Sequence, residues 1–178
     1  TFSHREAGLP RAVNLVEVVV SLQPLVRRLI RETIELSVRV DDDPSWIMAD
    51  PGQLEQVVVN LVVNASEAMP VAGRLELAVT PRPGDPSRGE PAGACVELTV
   101  RDNGVGMTTA TRERLFEPYF TTKDERGSGL GLPVVYGVVT RAGGRIHVES
   151  TVGQGTTFRL VFPAVSAPAH APVVADGV

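Results

Sequence analysis

The stretch D-P-G-Q-L-E-Q-V-V-V-N-L-V-V-N-A-S-E-A-M at residues 50–69 constrains the fold more than any other. Asp50 is a good N-cap and Pro51 suits a first helical position, so a helix is predicted from here to about Pro70. Leu54, Val57, Val58, Leu61, Val62, Ala65 and Ala68 recur at the spacing of a face turned to a core. At about 100° per residue, Gln53, Gln56, Asn60, Asn64 and Glu67 fall together in a wedge of roughly 80°. A solvated face is one account of such a stripe. Val59 and Val63 crowd it, however, and short amides beside valine favour a second account, ligands at the edge of a pocket. An asparagine carbonyl can join a hard cation such as Mg²⁺ without adding charge.

A chain of 178 residues, 43% hydrophobic, suffices for one sizeable core. Net charge of −4 and a pI near 5.4 provide no basic field for nucleic acid. No apolar run approaches the length of a membrane span, so no direct membrane contact and a cytoplasmic location are expected. The single cysteine, Cys95, lies in an apolar run and reads as a buried core thiol.

Residues 1–12 read as the last turn of a helix halted at Gly8 and Pro10, and the linker after it. A capping box of Asn14 with Glu17 opens a helix to about Arg31, with Leu15, Val19, Leu22, Val26 and Leu29 facing inward. Residues 34–40 alternate as a half-buried strand, closed by Asp41, Asp42 and Asp43 in a solvated turn. Strands are also predicted at 75–79 and 96–100, around a loop too rich in proline and glycine to be ordered by packing. A short helix at 112–115, a longer one at 130–142 with Leu130, Val134 and Val138 inward, and two strands at 145–149 and 157–161 complete the domain. Residues 164–178 are Ala/Pro-rich and read as a flexible linker. One mixed sheet with helices on one face makes this an α+β two-layer sandwich, with residues 13–163 as its single domain.

Three glycine-rich turns carry chemistry. D-N-G-V-G at 102–106 ends an apolar strand; it is either an ordinary turn or a carboxylate placed to accept from an exocyclic amine such as that of adenine. G-S-G-L-G at 127–131 precedes a helix whose free N–H groups suit a polyphosphate, a weak signal when alone. G-Q-G-T-T-F at 153–158 is a turn into a strand.

In order, N-L-V-V-N-A, D-N-G-V-G, L-F-E-P-Y-F-T-T-K, G-S-G-L-G-L and G-Q-G-T-T-F resemble the catalytic ATP-binding domain of sensor histidine kinases. This is the Bergerat-fold group that includes gyrase B, mismatch-repair and heat-shock chaperone ATPases. The likeness spans residues 14–163, and G-L-P-V-V-Y-G resembles the nitrogen-regulator and hybrid kinase branch. It implies ATP and Mg²⁺ as ligands, with Asn64 the metal ligand and Asp102 the acceptor for the adenine amine. Gly104 and Gly106 would shape the pocket floor, and Thr156 would help fix adenine. Residues 107–128 would form a lid. Lys123 and Arg126 would reach the phosphates, held also by Gly127, Ser128, Gly129, Leu130 and Gly131. Phe116, Tyr119 and Phe120 would dock on a partner domain or pack in the core.

In the hydrolysing relatives a glutamate stands four residues before the Mg²⁺-binding asparagine as general base. Asn60 holds that place, and an amide takes no proton. The resemblance therefore implies phosphoryl transfer to a histidine, with Asn60, Asn64 and Lys123 in the catalytic set, over an ATPase of the gyrase kind or a non-catalytic nucleotide-binding module. His4, His147 and His170 match no phosphoacceptor motif. The target histidine is thus expected on an upstream dimerisation domain, which would make the full-length protein a homodimer. A response regulator or fused receiver domain is the expected onward partner.

Overall fold

The computed structural model describes residues 8–120 and 131–169. The elements run β1 (Arg11–Asn14), α1 (Leu15–Leu29), β2 (Ile34–Val40), β3 (Trp46–Ala49), α2 (Pro51–Ala68), β4 (Gly73–Pro83), β5 (Ala94–Asp102), α3 (Thr109–Arg114), α4 (Gly131–Arg141), β6 (Arg145–Thr151) and β7 (Gly155–Pro163). Five strands form one mixed sheet in the order β2-β4-β5-β7-β6, in which β2 and β4 are parallel and the other neighbours antiparallel. α1, α2 and α4 lie over one face, with α2 touching both other helices, so the predicted two-layer sandwich is what forms.

α2 is the keystone because its apolar stripe is unbroken. Leu54, Val57, Val58, Leu61, Val62 and Ala65 are all buried against Leu75, Leu77, Leu98, Val100, Phe158 and Leu160 of the sheet. Each valine or leucine among them withdrawn from water contributes about 1.5–3 kcal/mol. The Asp50 carboxylate accepts the Gly52 N–H at 2.8 Å and caps the start. At the other end the Arg31 guanidinium donates to the carbonyls of Ser66 and Met69, both at 3.2 Å, and so supplies donors where the helix runs short of them.

Several expectations change. The helical turn predicted to end at Gly8 lies outside the described residues, whereas Arg11–Asn14 is a strand paired antiparallel with Trp46–Ala49, a two-stranded ribbon outside the main sheet. Asn14 does cap α1, through the Val16 N–H at 3.1 Å, but α1 ends at Leu29, whose side chain is exposed while Val18 and Ile30 are buried in its stead. In α4 the inward face is Val135, Val138 and Val139; Val134 is exposed. Beyond Pro163 the chain stays engaged for two residues, Ala164 bridging Ile47 and the Val165 N–H reaching the Trp46 carbonyl at 2.9 Å.

The Pro/Gly-rich loop between β4 and β5 is the largest departure. It is ordered by one buried carboxylate, Glu90, which holds Arg82 in a two-pronged pair at 2.8 Å and accepts the Asp85 N–H at 2.8 Å. His147 Nε2 lies 2.8 Å from the same carboxylate. Arg82 also meets Glu97, which Arg159 approaches at 3.3 Å. The Arg82 pair pulls the Glu90 carboxyl down to about 2 against the opposing effect of burial. Cys95 is buried beside this loop, and burial pushes its thiol up.

Candidate functional site

Strand register assembles the first part of the site. Asp102 ends β5 and stands opposite Thr156 of β7, which stands opposite Ser150 of β6. Alternation puts all three on the face that carries Val100, Phe158 and Val148, so a polar row crosses three strands where the core ends. Asp102 is 4% exposed and Thr156 5%. The Asp102 carboxyl accepts the Gly104 N–H at 2.9 Å and the Thr156 amide, while burial, the largest influence, pushes its pKa up. A buried acceptor at the rim of the core, held by two amides, suits an N–H donor of a bound base.

The glycine turns fit against one another so closely that side chains are excluded. A Cβ on Gly104 would lie 2.4 Å from the Ala68 carbonyl oxygen, and one on Gly106, at φ +69°, 2.0 Å from that of Thr151. Gly155, at φ +99°, packs equally tightly on the Asp102 carbonyl, 2.1 Å from where its Cβ would be. Hydrogen bonds knit the same pieces together. The Val105 N–H donates to Ala68 at 2.9 Å, and the Gly153 N–H donates to Val105 at 2.7 Å. The end of α2, the turn after β5 and the β6–β7 hairpin are thus one unit.

On α2 the predicted polar seam is real: Gln53, Asn60 and Asn64 are half-buried and Gln56 and Glu67 exposed. Its amides are ordered along the helix. Gln56 Nε2 donates to Asn60 Oδ1 at 2.6 Å, and Asn60 Nδ2 donates to the Gly131 carbonyl at 3.1 Å, which ties α2 to the first residue of α4. Asn64 follows one turn later on the same face, whereas Glu55 is exposed on another. Among the described residues no cluster of three or more His, Cys, Asp or Glu side chains could hold a metal unaided. One asparagine carbonyl fits the alternative in which Mg²⁺ keeps waters and phosphate oxygens and takes few protein ligands.

Lys123, Arg126, Gly127, Ser128, Gly129 and Leu130 lie outside the described residues. Of the segment before them, Leu115 is buried, Phe116 stacks obliquely on Tyr136 with centroids 5.4 Å apart, and Arg114 covers the Phe120 ring at 4.3 Å. Tyr119 is 77% exposed. His147, in β6, serves the Glu90 network. Sequence reasoning did not pick out Ser150 or the Gln56–Asn60–Gly131 bridge. Gln56 and Asn60 were visible as part of the seam, but the Gly131 carbonyl, 71 residues beyond Asn60, was not.

Known proteins agree with this geometry. Over 168 residues the chain is 40% identical to sensor kinase CckA of Brucella abortus (strain 2308), a match covering 91% of this chain and 18% of that protein. The chain thus spans less than a fifth of that curated relative. The solved structure of the mycobacterial sensor histidine kinase MprB superposes with a TM-score of 0.70 at 30% identity, covering 88% of this chain and 98% of that one. Full-length ShkA, solved in complex with AMPPNP, superposes with a TM-score of 0.68 at 28% identity, covering 91% of this chain and 33% of that one. Residues 49–166 match the model of the histidine kinase-, DNA gyrase B- and HSP90-like ATPases, and the chain belongs to that family as an ATP-binding module of the sensor histidine kinase kind.

Proposed function

We propose that this chain binds Mg-ATP and delivers the γ-phosphoryl group to a histidine on a separate dimerisation and phosphoacceptor domain. The observation that carries the reading is the pairing of a buried adenine-type acceptor, Asp102, with an amide, Asn60, at the place where a hydrolase needs a base. Asp102 receives the base's exocyclic amine, with Thr156 beside it. Gly104 and Gly106 let the backbone form the floor of the pocket. Asn64 supplies the protein oxygen to Mg²⁺, which would neutralise phosphate charge. Lys123 and Arg126, with the backbone of Gly127, Ser128, Gly129, Leu130 and Gly131, receive the phosphates. With no base to activate water, these residues position ATP for an imidazole that is already a nucleophile.

In this reading residues 13–163 are the catalytic domain. Its own phosphoacceptor domain, in a homodimer, is its first partner and a response regulator or receiver domain its second; the setting is cytoplasmic. None of the described helices is long and apolar enough to cross a membrane.

Calorimetric titration with a non-hydrolysable ATP analogue, with and without Mg²⁺, tests the site. Binding should be micromolar to submillimolar. Asp102→Asn should weaken it more than tenfold under both conditions, and Asn64→Ala only when Mg²⁺ is present. Equal loss from Asn64→Ala in both conditions would remove the metal assignment, and undiminished binding by Asp102→Asn the adenine assignment.

A further inference from the structure

Ser150 is half-buried on β6 at the end of the polar row, and its hydroxyl makes three contacts. It accepts the Met107 N–H at 2.8 Å, from the segment that follows the D-N-G-V-G turn. It reaches the carbonyl of buried Gly155 at 3.1 Å and the Thr156 hydroxyl at 2.8 Å. A serine hydroxyl has one proton and two lone pairs. One lone pair is taken by Met107. A carbonyl can only accept, so the Ser150 proton must go to Gly155 for that bond to exist. The contact with Thr156 is then made by the Thr156 proton, entering the second lone pair of Ser150. Only this arrangement satisfies all three contacts, and it leaves Thr156 Oγ1 with lone pairs alone.

We propose that Ser150 is a specificity-determining positioning residue: by taking the Thr156 proton it turns Thr156 into an obligate acceptor, so that Asp102 and Thr156 together require a donor amine at position 6 of a bound purine. The inference rests on the adenine-site reading above. Adenine carries two amine protons there, one for the Asp102 carboxylate and one for the Thr156 oxygen. Hypoxanthine and guanine carry a carbonyl oxygen at that position and would set lone pairs against lone pairs, a mismatch that leaves buried groups unpaired. Without Ser150, Thr156 can rotate its proton toward the site and serve such an oxygen. The same hydroxyl anchors Met107, so the root of the following segment is fastened to the base pocket.

The test is calorimetric affinity for the imido analogues of ATP and of inosine triphosphate, which differ in the base at position 6, measured on the parent chain, Ser150→Ala, Ser150→Thr, Thr156→Val and the double variant. The parent should favour the adenine analogue. Ser150→Ala should reduce the adenine-to-hypoxanthine affinity ratio at least threefold, and Ser150→Thr, which keeps the hydroxyl, should restore it. In the Thr156→Val background, removing Ser150 should leave the ratio unchanged, since the group it acts through is gone. An equal fall in both affinities on Ser150→Ala would mean that the serine only braces Met107, and would overturn the proposal. So would an unchanged ratio, or a further change of ratio when Ser150→Ala is added to Thr156→Val. If Ser150→Ala does not fold, the Ser150→Thr and Thr156→Val ratios decide: parent-like discrimination with Thr156→Val overturns it. A parent chain that binds neither analogue would instead remove the adenine site itself, and this inference with it.

Discussion

Glu90→Gln should destabilise the domain by about 2–3 kcal/mol at pH 7 and by much less in acid. The side chain is fully buried and, as a carboxylate, accepts from two Arg82 nitrogens, the Asp85 amide and His147. The glutamine variant keeps the shape but turns one acceptor into a donor, so an NH₂ group faces Arg82 and either the Asp85 amide or His147. The Arg82 pair lowers the carboxyl from 4.5 to about 2. At about 1.36 kcal/mol for each tenfold change in proton affinity, this is ~3 kcal/mol of linked stability. Arg82 keeps Glu97 at 2.7 Å in the variant, which trims the loss. Because the folded-state pKa is depressed, the contribution is complete above pH 4.5 and disappears as pH falls toward 2. Thermal melts of parent and variant at pH 7, 5 and 3 should therefore show a gap of roughly 5–10 °C that narrows with acidification. Nucleotide affinity should hold within twofold, since Glu97, Arg159 and His147 lie on the sheet face opposite Asp102. A melting point within 2 °C of the parent at pH 7, or a gap indifferent to pH, would refute the reasoning.

Gly155→Ala would force a Cβ to 2.1 Å from the Asp102 carbonyl at a φ of +99°, so it should cost about 2 kcal/mol or more and weaken the ATP analogue over tenfold, as denaturant curves and calorimetry would show. Gln56→Leu removes the donor that orients the Asn60 amide, and amide hydrogen exchange should quicken at the start of α4, where Gly131 is held, with little change in melting temperature; unchanged exchange would count against the bridge. Asn60→Glu offers a base for water at the cost of the Gly131 bond, and should raise slow phosphate release while quickening exchange at the same place.

Where one residue type on one element decided the outcome, the sequence was sufficient. α2 could be read from its valine and leucine spacing, and its seam is real because the polar residues share one face. Asp102 was legible as a carboxylate at the end of an apolar strand. The ribbon of Arg11–Asn14 with Trp46–Ala49 was not, since each strand has four residues and its stability comes from its partner. The β4–β5 loop was misread because proline and glycine report on the backbone alone. One buried carboxylate with partners at Arg82 and His147 outweighs that local preference, and no window of sequence contains all three. Ser150 escaped for the same reason, since its meaning depends on a strand register that sets it opposite Thr156.

On the proposed function the two asparagines of α2 would divide the work that one glutamate and one asparagine share in the hydrolysing relatives. A carboxylate at position 60 would turn an oxygen toward the Gly131 carbonyl, where the amide now presents an N–H at 3.1 Å. The amide therefore does two things that a base could not do together. In the proposed reading it would leave water unactivated, and it fastens α2 to Gly131, the first residue of α4. Gly131 stands at one end of the segment proposed to bind the phosphates, while Met107, held by Ser150, anchors the chain that follows the D-N-G-V-G turn. If the proposed function and the proposal for Ser150 hold, discrimination of the base and placement of the phosphates would depend on two polar contacts to a scaffold held by the interlocked turns. On the proposed function the chemistry of the site would be restraint of ATP for a nucleophile that comes from elsewhere, and an acid–base group inside the pocket would work against it.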